Sequence, residues 1–390
     1  MRNREIIMSS VVHFSYHATA MLARQFAREN RVIYLEPGPW YQQVRNEKKQ
    51  GQSYYKSFFN LKRKQVFDNL LTIQLPPMLP LLNKTIMQYS IRLSKLIQAQ
   101  LLKRELKSLG FFPDIFILDN PLDIFMIRKF EEKISCTVIT DEHSMLPHLK
   151  FVADVIEQVE SQGSHRFDFI FATSRFQFEK RKDLNKNSFL VPNAVDIDLF
   201  DRVSAGEHPE PADLEAIPRP RIGYVGSICS RLDYDLLHKI ANEHLEWSIV
   251  MIGGPDNYVP KDLVERLRKL PNVFILPKKD HEEIPRYMAK FDIGIIPFEL
   301  NSLTKTMNLL KMYEYLAMGL PVVSTELPEV KLFSEEIKIA RNHEEFVNLI
   351  EDELRTNNPL KIQRRIEVAK ENSWEKRAEQ ISSLVDEYLQ

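Results

Sequence analysis

The sequence predicts an α/β protein with two Rossmann-like, doubly wound domains. Short apolar runs rich in β-branched residues alternate with longer stretches in which apolar residues recur at helical spacing, a pattern typical of βαβ units and parallel sheets. The segment 201–220 contains several prolines, lacks this periodicity and separates two such series. The length of 390 residues is sufficient for two domains of ordinary size.

Six strands are predicted in each half of the chain. Those of the first half cover residues 5–12, 31–36, 70–75, 114–119, 136–140 and 168–173. Those of the second half cover residues 221–226, 247–252, 272–276, 291–297, 320–324 and 337–340. The predicted organisation is an N-terminal domain over 1–200, a linker over 201–220, a C-terminal domain over 221–373 and a helix over 374–390 that returns toward the N-terminal domain.

Sheets of this kind bind ligands beyond the carboxyl ends of their strands. Two such sheets facing each other across a cleft would place a reaction between them. The chain has only 11 glycines, and neither G-x-G-x-x-G nor G-x-x-x-x-G-K-[ST] occurs, which excludes an ordinary dinucleotide fingerprint and a Walker A loop. The two cysteines, Cys136 and Cys229, lie in apolar segments and are interpreted as reduced core thiols of a cytosolic protein.

Charge is distributed unevenly along the chain. Residues 1–110 hold 18 Lys and Arg against 6 Asp and Glu, although the net charge of the whole chain is −1. The basic residues are interleaved with aromatic residues over 40–66 and with apolar residues at helical spacing over 84–107. Such a pattern is typical of a solvated face, of an anionic membrane surface or of nucleic-acid binding. An amphipathic helix beside an aromatic-basic loop favours a membrane interface over a protein that reads a nucleic-acid groove. No nucleic-acid partner is therefore expected.

No segment of the sequence predicts membrane insertion. The N-terminus lacks the apolar stretch of a secretory signal, and the most apolar window, 70–82, is short and contains three prolines. We therefore expect a cytoplasmic protein that is at most peripheral on the inner face of the cell membrane.

Three ordered motifs point to a family. They are VPNAVDIDLF (191–200), PRIGYVGSICSRLDYDLL (220–237) and LLKMYEYLAMGLPVVST (309–325). They resemble segments of the GT-B glycosyltransferases of the family 1/family 4 type, which transfer sugars from nucleotide-sugar donors. The chain is further similar to bacterial exopolysaccharide and teichuronic-acid transferases. The resemblance implies the GT-B architecture, a transferase of the hexosyltransferase type, a nucleotide sugar (UDP preferred) and a saccharide or lipid-linked acceptor in cell-surface polysaccharide synthesis.

The resemblance implies a donor site in the second domain, and the residue types fit it. Negative charge grows on the departing diphosphate, and amide groups at a helix N-terminus together with fixed cations can stabilise it without a metal or another cofactor. The helix would begin near Met307 and Asn308, Glu314 would accept the ribose hydroxyls, and a side chain at Gly226 would hold the backbone away from the diphosphate. The predicted donor-site residues are Gly226, Ser227, Arg231, Pro277, Lys278, Thr306, Met307, Asn308, Leu309, Lys311 and Glu314.

Two of these residues have simpler interpretations. Lys311 and Glu314 are three positions apart on a helix and could form an ordinary surface ion pair. Arg231 could pair locally with Asp233 or Asp235. The chain also departs from the family pattern E-x7-E, because Thr306 stands eight positions before Glu314 where the family has an acid. This departure leaves the donor sugar open.

A general base is predicted at the end of the strand over 136–140. The acceptor hydroxyl must lose a proton, and the similar transferases use an Asp in a short turn at this place. The candidate is Asp141, with Glu142 as the alternative and His143 as a residue that could orient either one. Asp141 could instead be an ordinary turn or N-cap residue. If it acts as base, the reaction inverts the anomeric centre; otherwise the retaining route of family 4 remains open.

His13 and His17 are predicted to line the acceptor side at the end of the first strand. Their i,i+4 spacing could also present two imidazoles to zinc, but no third ligand at ordered spacing accompanies them, so no metal is expected. Besides a transferase, three other functions fit parts of the pattern: an inactive binding protein with the same fold, a nucleotide-sugar epimerase, and a nucleic-acid-binding module over 40–110.

Overall fold

The chain folds into two compact units, each built around its own sheet. The structure is a computed structural model that describes residues 1–15, 17–39, 61–79, 84–204, 206 and 209–389. Unit 1 contains residues 1–192 and 377–390, and unit 2 contains residues 193–376. Unit 1 has an eight-stranded sheet and unit 2 a six-stranded sheet. The predicted α/β class with two doubly wound sheets is therefore confirmed.

Seven of the eight strands of unit 1 are parallel, in the order β3-β4-β2-β1-β5-β6-β7-β8, with β3 antiparallel at one edge. The strands are β1 (Glu5–Ser9), β2 (Arg31–Glu36), β3 (Lys62–Phe67), β4 (Leu70–Gln74), β5 (Ile115–Leu118), β6 (Ile134–Ile139), β7 (Phe169–Ala172) and β8 (Ser188–Leu190). The helices are α1 (Ala18–Phe26), α2 (Lys84–Ser108), α3 (Ala153–Gly163) and α4 (Arg175–Arg181).

Unit 2 has an all-parallel sheet in the order β11-β10-β9-β12-β13-β14. Its strands are β9 (Arg221–Val225), β10 (Ser248–Ile252), β11 (Val273–Leu276), β12 (Ile293–Ile296), β13 (Val322–Thr325) and β14 (Lys338–Ala340). Its helices are α5 (Ile197–Ser204), α6 (Tyr234–Glu243), α7 (Lys261–Arg268), α8 (Ile284–Met288), α9 (Leu310–Ala317), α10 (His343–Thr356) and α11 (Pro359–Glu371). The last helix of the chain, α12 (Trp374–Leu389), lies mostly in unit 1.

The central strands are buried on both faces. Every residue of β5, β6 and β7 in unit 1 and of β9, β10 and β12 in unit 2 is buried. Covered parallel strands of this kind appear in the sequence as continuous apolar runs, which is why all twelve predicted strands occur within a few residues of their predicted positions. In unit 2 the strand order reverses between β9 and β12, and the loops at that switch point are where such sheets bind ligands.

Two segments differ from their prediction. Lys62–Phe67, expected to be part of a basic-aromatic loop, forms the antiparallel edge strand β3, whose charged side chains are exposed to solvent as edge strands allow. The rest of that loop lies outside the described residues. In the segment 201–220, predicted as a linker, α5 covers the beginning, and Leu214 and Ile217 are buried in the hydrophobic core of unit 2.

The C-terminal helix is anchored in unit 1. The Met1 ammonium forms an ion pair with Asp386 (2.7 Å), and Arg377 Nε donates a hydrogen bond to the Pro192 carbonyl (2.9 Å). Among the described helices, none is both long and apolar enough to cross a bilayer.

Candidate functional site

Helix α9 of unit 2 begins without a side-chain cap. It starts at Leu310, three residues later than predicted, because Met307 and Leu309 have extended backbones after a short 3-10 turn over Thr304–Thr306. Its N-cap residue, Leu309, provides no side-chain hydrogen bond, and the first turn contains no acidic residue. The start of α9 therefore presents backbone N–H groups and the positive end of the helix dipole, which together favour an anion.

The Lys311 side chain places a positive charge at this helix start. Its Nζ lies 4.1 Å from the ring centroid of Tyr224 and 4.6 Å from that of Phe298. Burial, and after it the positive charge of Arg231, lower the pKa of Lys311 to about 7. Within the described part of the chain no carboxylate forms an ion pair with it, so the predicted alternative of a surface pair with Glu314 is wrong. The site therefore favours a negatively charged ligand.

Arg231 lies beside Lys311 in the loop that follows β9. Its Nε donates a hydrogen bond to Cys229 Sγ (3.2 Å), its Nη1 lies 3.7 Å from Met307 Sδ, and its Cζ is 5.7 Å from the Phe298 ring centroid. Asp233, the suggested local partner, instead accepts a hydrogen bond from the Leu236 amide and pairs with His343 (2.7 Å). One cation from a loop and one from the first turn of α9 thus lie near the same Phe298 ring at one end of the sheet.

Gly226 leaves room for Lys311. Its φ is +142°, and a Cβ at this position would lie 2.9 Å from Lys311 Nζ and 3.1 Å from the Tyr224 hydroxyl. The next residue, Ser227, is exposed, and its carbonyl accepts a hydrogen bond from that hydroxyl (2.9 Å). The backbone conformation therefore favours glycine here, and the missing side chain leaves room for Lys311 Nζ.

The remaining predicted donor-site residues fall into two groups. Pro277 and Lys278 are exposed in the loop after β11, and Glu314 is buried in α9 with its Oε1 4.0 Å from His281 Nδ1. The buried Thr306 and Asn308 instead hold the loop itself, as described next. All of these loops follow carboxyl ends of strands in the same parallel sheet, which is the edge where such sheets bind ligands.

The segment before α9 is fixed by its own hydrogen bonds. The hydroxyl of Thr306, a predicted donor-site residue, donates a hydrogen bond to the Leu303 carbonyl (2.8 Å) within the turn before α9. Asn308 Nδ2 donates to Glu329 Oε2 (3.1 Å), and its carbonyl accepts from Asn193 Nδ2 (2.7 Å). Sequence reasoning missed Glu329, a buried carboxylate that reaches this segment from the loop after β13.

In unit 1, the turn 140–144 after β6 presents Asp141. Of the five residues in this turn, Asp141 is half-buried and the other four are buried. Thr140 Oγ1 donates to Asp119 (2.7 Å), and Glu142 accepts hydrogen bonds from Lys180 (2.8 Å) and Gln177 (3.3 Å). The turn is thus anchored on both sides of Asp141. Glu142 is sequestered in a structural ion pair, which argues against its role as the alternative base.

His143 lies between two carboxylates beneath this turn. Its Nε2 is 3.9 Å from Asp119 Oδ1 and its Nδ1 is 3.8 Å from Glu160 Oε1, and Glu160 also pairs with the buried Arg181 (2.8 Å). Burial alone would lower the pKa of His143, but Glu160, Asp119 and Asp141 outweigh this effect and raise it. A charged imidazole here therefore stabilises the folded unit.

The charged form of His143 makes a pH-dependent contribution to stability. Because its pKa is higher in the folded than in the unfolded chain, the contribution is complete below the unfolded pKa and is lost as the pH rises through the folded value. His143→Gln should lower the melting temperature by about 5 °C at pH 6, and the difference from the wild type should shrink toward pH 8.5. His165→Gln, at an exposed position, is the control. A pH-independent difference would contradict the charged state of His143.

His13 and His17 do not share a helix face. His17 has an extended backbone and is the N-cap of α1, which starts only at Ala18. His13 Nδ1 lies 3.2 Å from Glu36 Oε2, and His17 Nδ1 lies 3.0 Å from Thr19 Oγ1. The i,i+4 geometry considered for zinc is thus absent, because the helix starts after both residues. They lie in the loop after β1, at the carboxyl edge of the unit 1 sheet.

Asp119, at the end of β5, is the centre of a buried network that sequence reasoning missed. Its carboxylate accepts hydrogen bonds from Ser10 (3.0 Å) and Thr140 (2.7 Å), and Ser10 in turn accepts from Thr19 (3.1 Å). This network joins the loops after β1, β5 and β6. An acidic residue directly after an apolar strand was the signal that could have identified it.

Residues 219–355 match the family model described as "Glycosyl transferases group 1". The "Putative teichuronic acid biosynthesis glycosyltransferase TuaH" of Bacillus subtilis (strain 168) is 30% identical over 184 residues, which is 46% of this chain and 45% of that protein. The match thus spans less than half of the relative's length.

Solved structures of the same fold match almost the whole chain. Sucrose-phosphate synthase from Thermosynechococcus elongatus has a TM-score of 0.69 at 14% identity, with 99% of both chains covered. Anabaena Alr3699/HepE, in complex with UDP and glucose, has a TM-score of 0.66 at 11% identity, with 98% and 100% covered. E. coli trehalose-6-phosphate, bound with UDP-2-fluoro glucose, has a TM-score of 0.66 at 13% identity, with 97% and 98% covered. The chain therefore has the GT-B fold, and its residues 219–355 are similar to the group 1 glycosyltransferases.

Proposed function

We propose that this protein transfers a sugar from a nucleoside-diphosphate donor held by unit 2 to a saccharide or lipid-linked acceptor. The observation that carries the proposal is the anion site at the start of α9, where uncapped amides, Lys311 and Arg231 converge. These groups would stabilise the charge that develops on the departing diphosphate, so turnover is expected to persist in EDTA. The match of residues 219–355 to the group 1 glycosyltransferase model supports the same reaction class.

A UDP-sugar is the proposed donor. Two of the structures with the same fold hold UDP or a UDP-sugar, which supports uridine over guanosine. In this proposal Glu314 accepts the ribose hydroxyls, and the loop with Pro277 and Lys278 lies against the base. The relative in Bacillus subtilis suggests an acceptor in cell-surface polysaccharide synthesis. The acceptor hydroxyl would lose its proton to Asp141, the half-buried residue of an otherwise buried turn.

A panel of nucleotide sugars with saccharide and lipid-linked acceptors tests this function. Products are identified by mass spectrometry, and released nucleotide is measured in parallel. A transferase yields a glycosylated acceptor and free nucleoside diphosphate. An isomerised nucleotide sugar without free nucleotide would indicate an epimerase, and binding without turnover would indicate an inactive protein of the same fold. Either of these results would overturn the proposal.

We further propose that unit 1 docks on the inner face of the cell membrane through α2. One exposed stripe of this helix is apolar in its first half, at Ile86, Tyr89 and Leu93, and basic in its second half, at Arg104 and Lys107. The exposed basic residues of β3 lie beside the helix, since Arg63 pairs with Glu105. Apolar residues next to basic ones are typical of a surface that binds anionic lipid.

Co-sedimentation with vesicles tests the membrane surface. Binding should require anionic lipid and decrease with salt, because the attraction is screened within a Debye length of about 8 Å at physiological ionic strength. Arg104→Glu with Lys107→Glu should weaken it by at least about 10-fold, at roughly 1 kcal/mol per charge. Lys261→Glu with Lys269→Glu, exposed in unit 2, is the control. Equal binding to neutral and anionic vesicles would contradict this surface.

A further inference from the structure

Arg231 is held in place by sulfur atoms. The Cys229 Sγ accepts a hydrogen bond from its Nε at 3.2 Å, and the Met307 Sδ lies 3.7 Å from its Nη1. Both sulfur residues are buried, with exposed fractions of 2% and 8%. They come from different loops, Cys229 from the loop after β9 and Met307 from the segment before α9. The Arg231 side chain is therefore contacted by sulfur atoms from two different segments of the proposed diphosphate site.

The backbone that carries Cys229 and Arg231 is fixed as well. The Ile228 amide donates to the Gly254 carbonyl (3.1 Å), and the Arg231 carbonyl accepts from the Glu299 amide (2.9 Å). The Cys229 carbonyl accepts from the Tyr234 hydroxyl at 3.2 Å. Since both ends of this loop are tied to neighbouring loops, the direction of the Arg231 side chain depends on what its guanidinium touches.

A sulfur acceptor differs from a carboxylate in one respect that matters here. Thiol and thioether sulfurs are weak, uncharged acceptors, so they direct an N–H group without placing a negative charge beside it. A carboxylate at the same place would form a charge-assisted pair with the guanidinium and would compete with a phosphate for it. Sulfur contacts thus orient Arg231 while its charge still acts on an incoming anion.

We propose that Cys229 is a positioning residue that directs the Arg231 guanidinium toward the diphosphate of the donor, with Met307 as the second contact. This assignment rests on the proposed function, because it needs a diphosphate in unit 2. It also changes the interpretation of Cys229, which the sequence indicated to be an ordinary core thiol. The second cysteine, Cys136, is buried within β6 of unit 1 and provides a matched control.

The test compares the affinities of two ligands, UDP and uridine, by calorimetry and by competition. Cys229→Ala in the full chain should weaken UDP binding by about 3- to 10-fold, the range expected for one lost hydrogen bond, and should leave uridine binding unchanged. Cys229→Ser keeps an acceptor and should restore UDP affinity to within about 3-fold of the wild type. Cys136→Ala should alter neither affinity.

The ratio of the two affinities separates positioning from a general structural effect. A loss of packing would weaken UDP and uridine together, whereas misdirection of Arg231 weakens UDP alone. Cys229→Asp should reduce UDP affinity further than Cys229→Ala, by about 30-fold or more, because the new carboxylate would pair with Arg231. Met307→Leu keeps the volume but removes the sulfur and should cost about 2- to 5-fold in UDP affinity.

The experiment distinguishes a failure of the Cys229 assignment from a failure of the proposed function. If the wild type binds neither UDP nor a UDP-sugar, the proposed donor site fails and the assignment of Cys229 fails with it. If the wild type binds UDP and Cys229→Ala binds it equally well, the donor site stands and the positioning role is overturned. A parallel loss of uridine affinity in Cys229→Ala would also overturn it.

Discussion

Replacing Lys311 with methionine should weaken the binding of a UDP-sugar by about 30- to 100-fold, as expected when a hydrogen bond from a charged group is lost. Methionine retains the aliphatic stem that packs against the Tyr224 and Phe298 rings, so the fold should be preserved. Lys269→Met, at an exposed position of unit 2, controls for a general change in charge. Affinity is measured by calorimetry on the full chain.

The same lysine should make donor binding dependent on pH. The pKa of Lys311 is lowered to about 7 in the free protein, and a bound diphosphate would raise it again. Binding at pH 8 should therefore take up about 0.9 of a proton, and at pH 6 only about 0.1. Affinity should fall as the pH rises above 7. Proton uptake follows from titrations in two buffers with different ionisation enthalpies.

The choice of ligand and variant makes this measurement specific. A UDP-sugar is preferred over UDP, because its diphosphate carries no group that titrates near neutral pH. Lys311→Arg keeps a positive charge that does not titrate, so proton uptake should disappear while part of the affinity remains. Proton uptake that persists in both Lys311 variants would place the titrating group elsewhere and contradict the role of Lys311.

The residues of this candidate site were predictable from the sequence, but their geometry was not. The motif around Lys311 and Glu314 identified the helix, since its residue types and spacing are local. Lys311 lies near Arg231, 80 positions earlier in the chain, only because the switch in strand order brings the segments after β9 and β12 together. The periodicity of one segment does not show which distant segments come together in the folded sheet.

The errors in the predicted elements have physical causes. Helix α9 was predicted to begin too early because Met307 and Leu309 continue its apolar pattern, although they are buried in extended conformation. The edge strand β3 was missed because its side chains are charged and exposed, so it lacks the apolar run that predicted the interior strands. Burial was visible in the sequence only where both faces of an element are covered.

The turn over residues 140–144 in unit 1 shows the same limit of prediction from local sequence. The order of residues 140–144 suggested Asp141 and Glu142 as equivalent candidates, since both follow the same strand. Their difference is set by α4, whose Lys180 and Gln177 bind Glu142 and leave it buried. A helix about 40 residues away thus binds and buries Glu142, and no pattern within the turn could have shown it.

Asp141→Asn should reduce turnover by about 1,000-fold while leaving the affinity for the UDP-sugar unchanged. The change removes a proton acceptor at constant volume, and general-base catalysis contributes typically 10²- to 10⁴-fold. Asp141 belongs to unit 1 and the proposed donor site to unit 2, so donor affinity measures the integrity of the protein independently of the chemistry. Turnover is followed as released UDP with saturating acceptor.

Glu142→Gln is the matched comparison for Asp141→Asn, because it makes the same chemical change one position along the turn. It removes one charge of the buried pair with Lys180 and should lower the melting temperature more than Asp141→Asn does. If Asp141 is the base, the product has the inverted anomeric configuration, which nuclear magnetic resonance of the glycosylated acceptor reveals. Full turnover in Asp141→Asn, or a retained configuration, would remove Asp141 from the reaction and leave the retaining route to the donor-site residues alone.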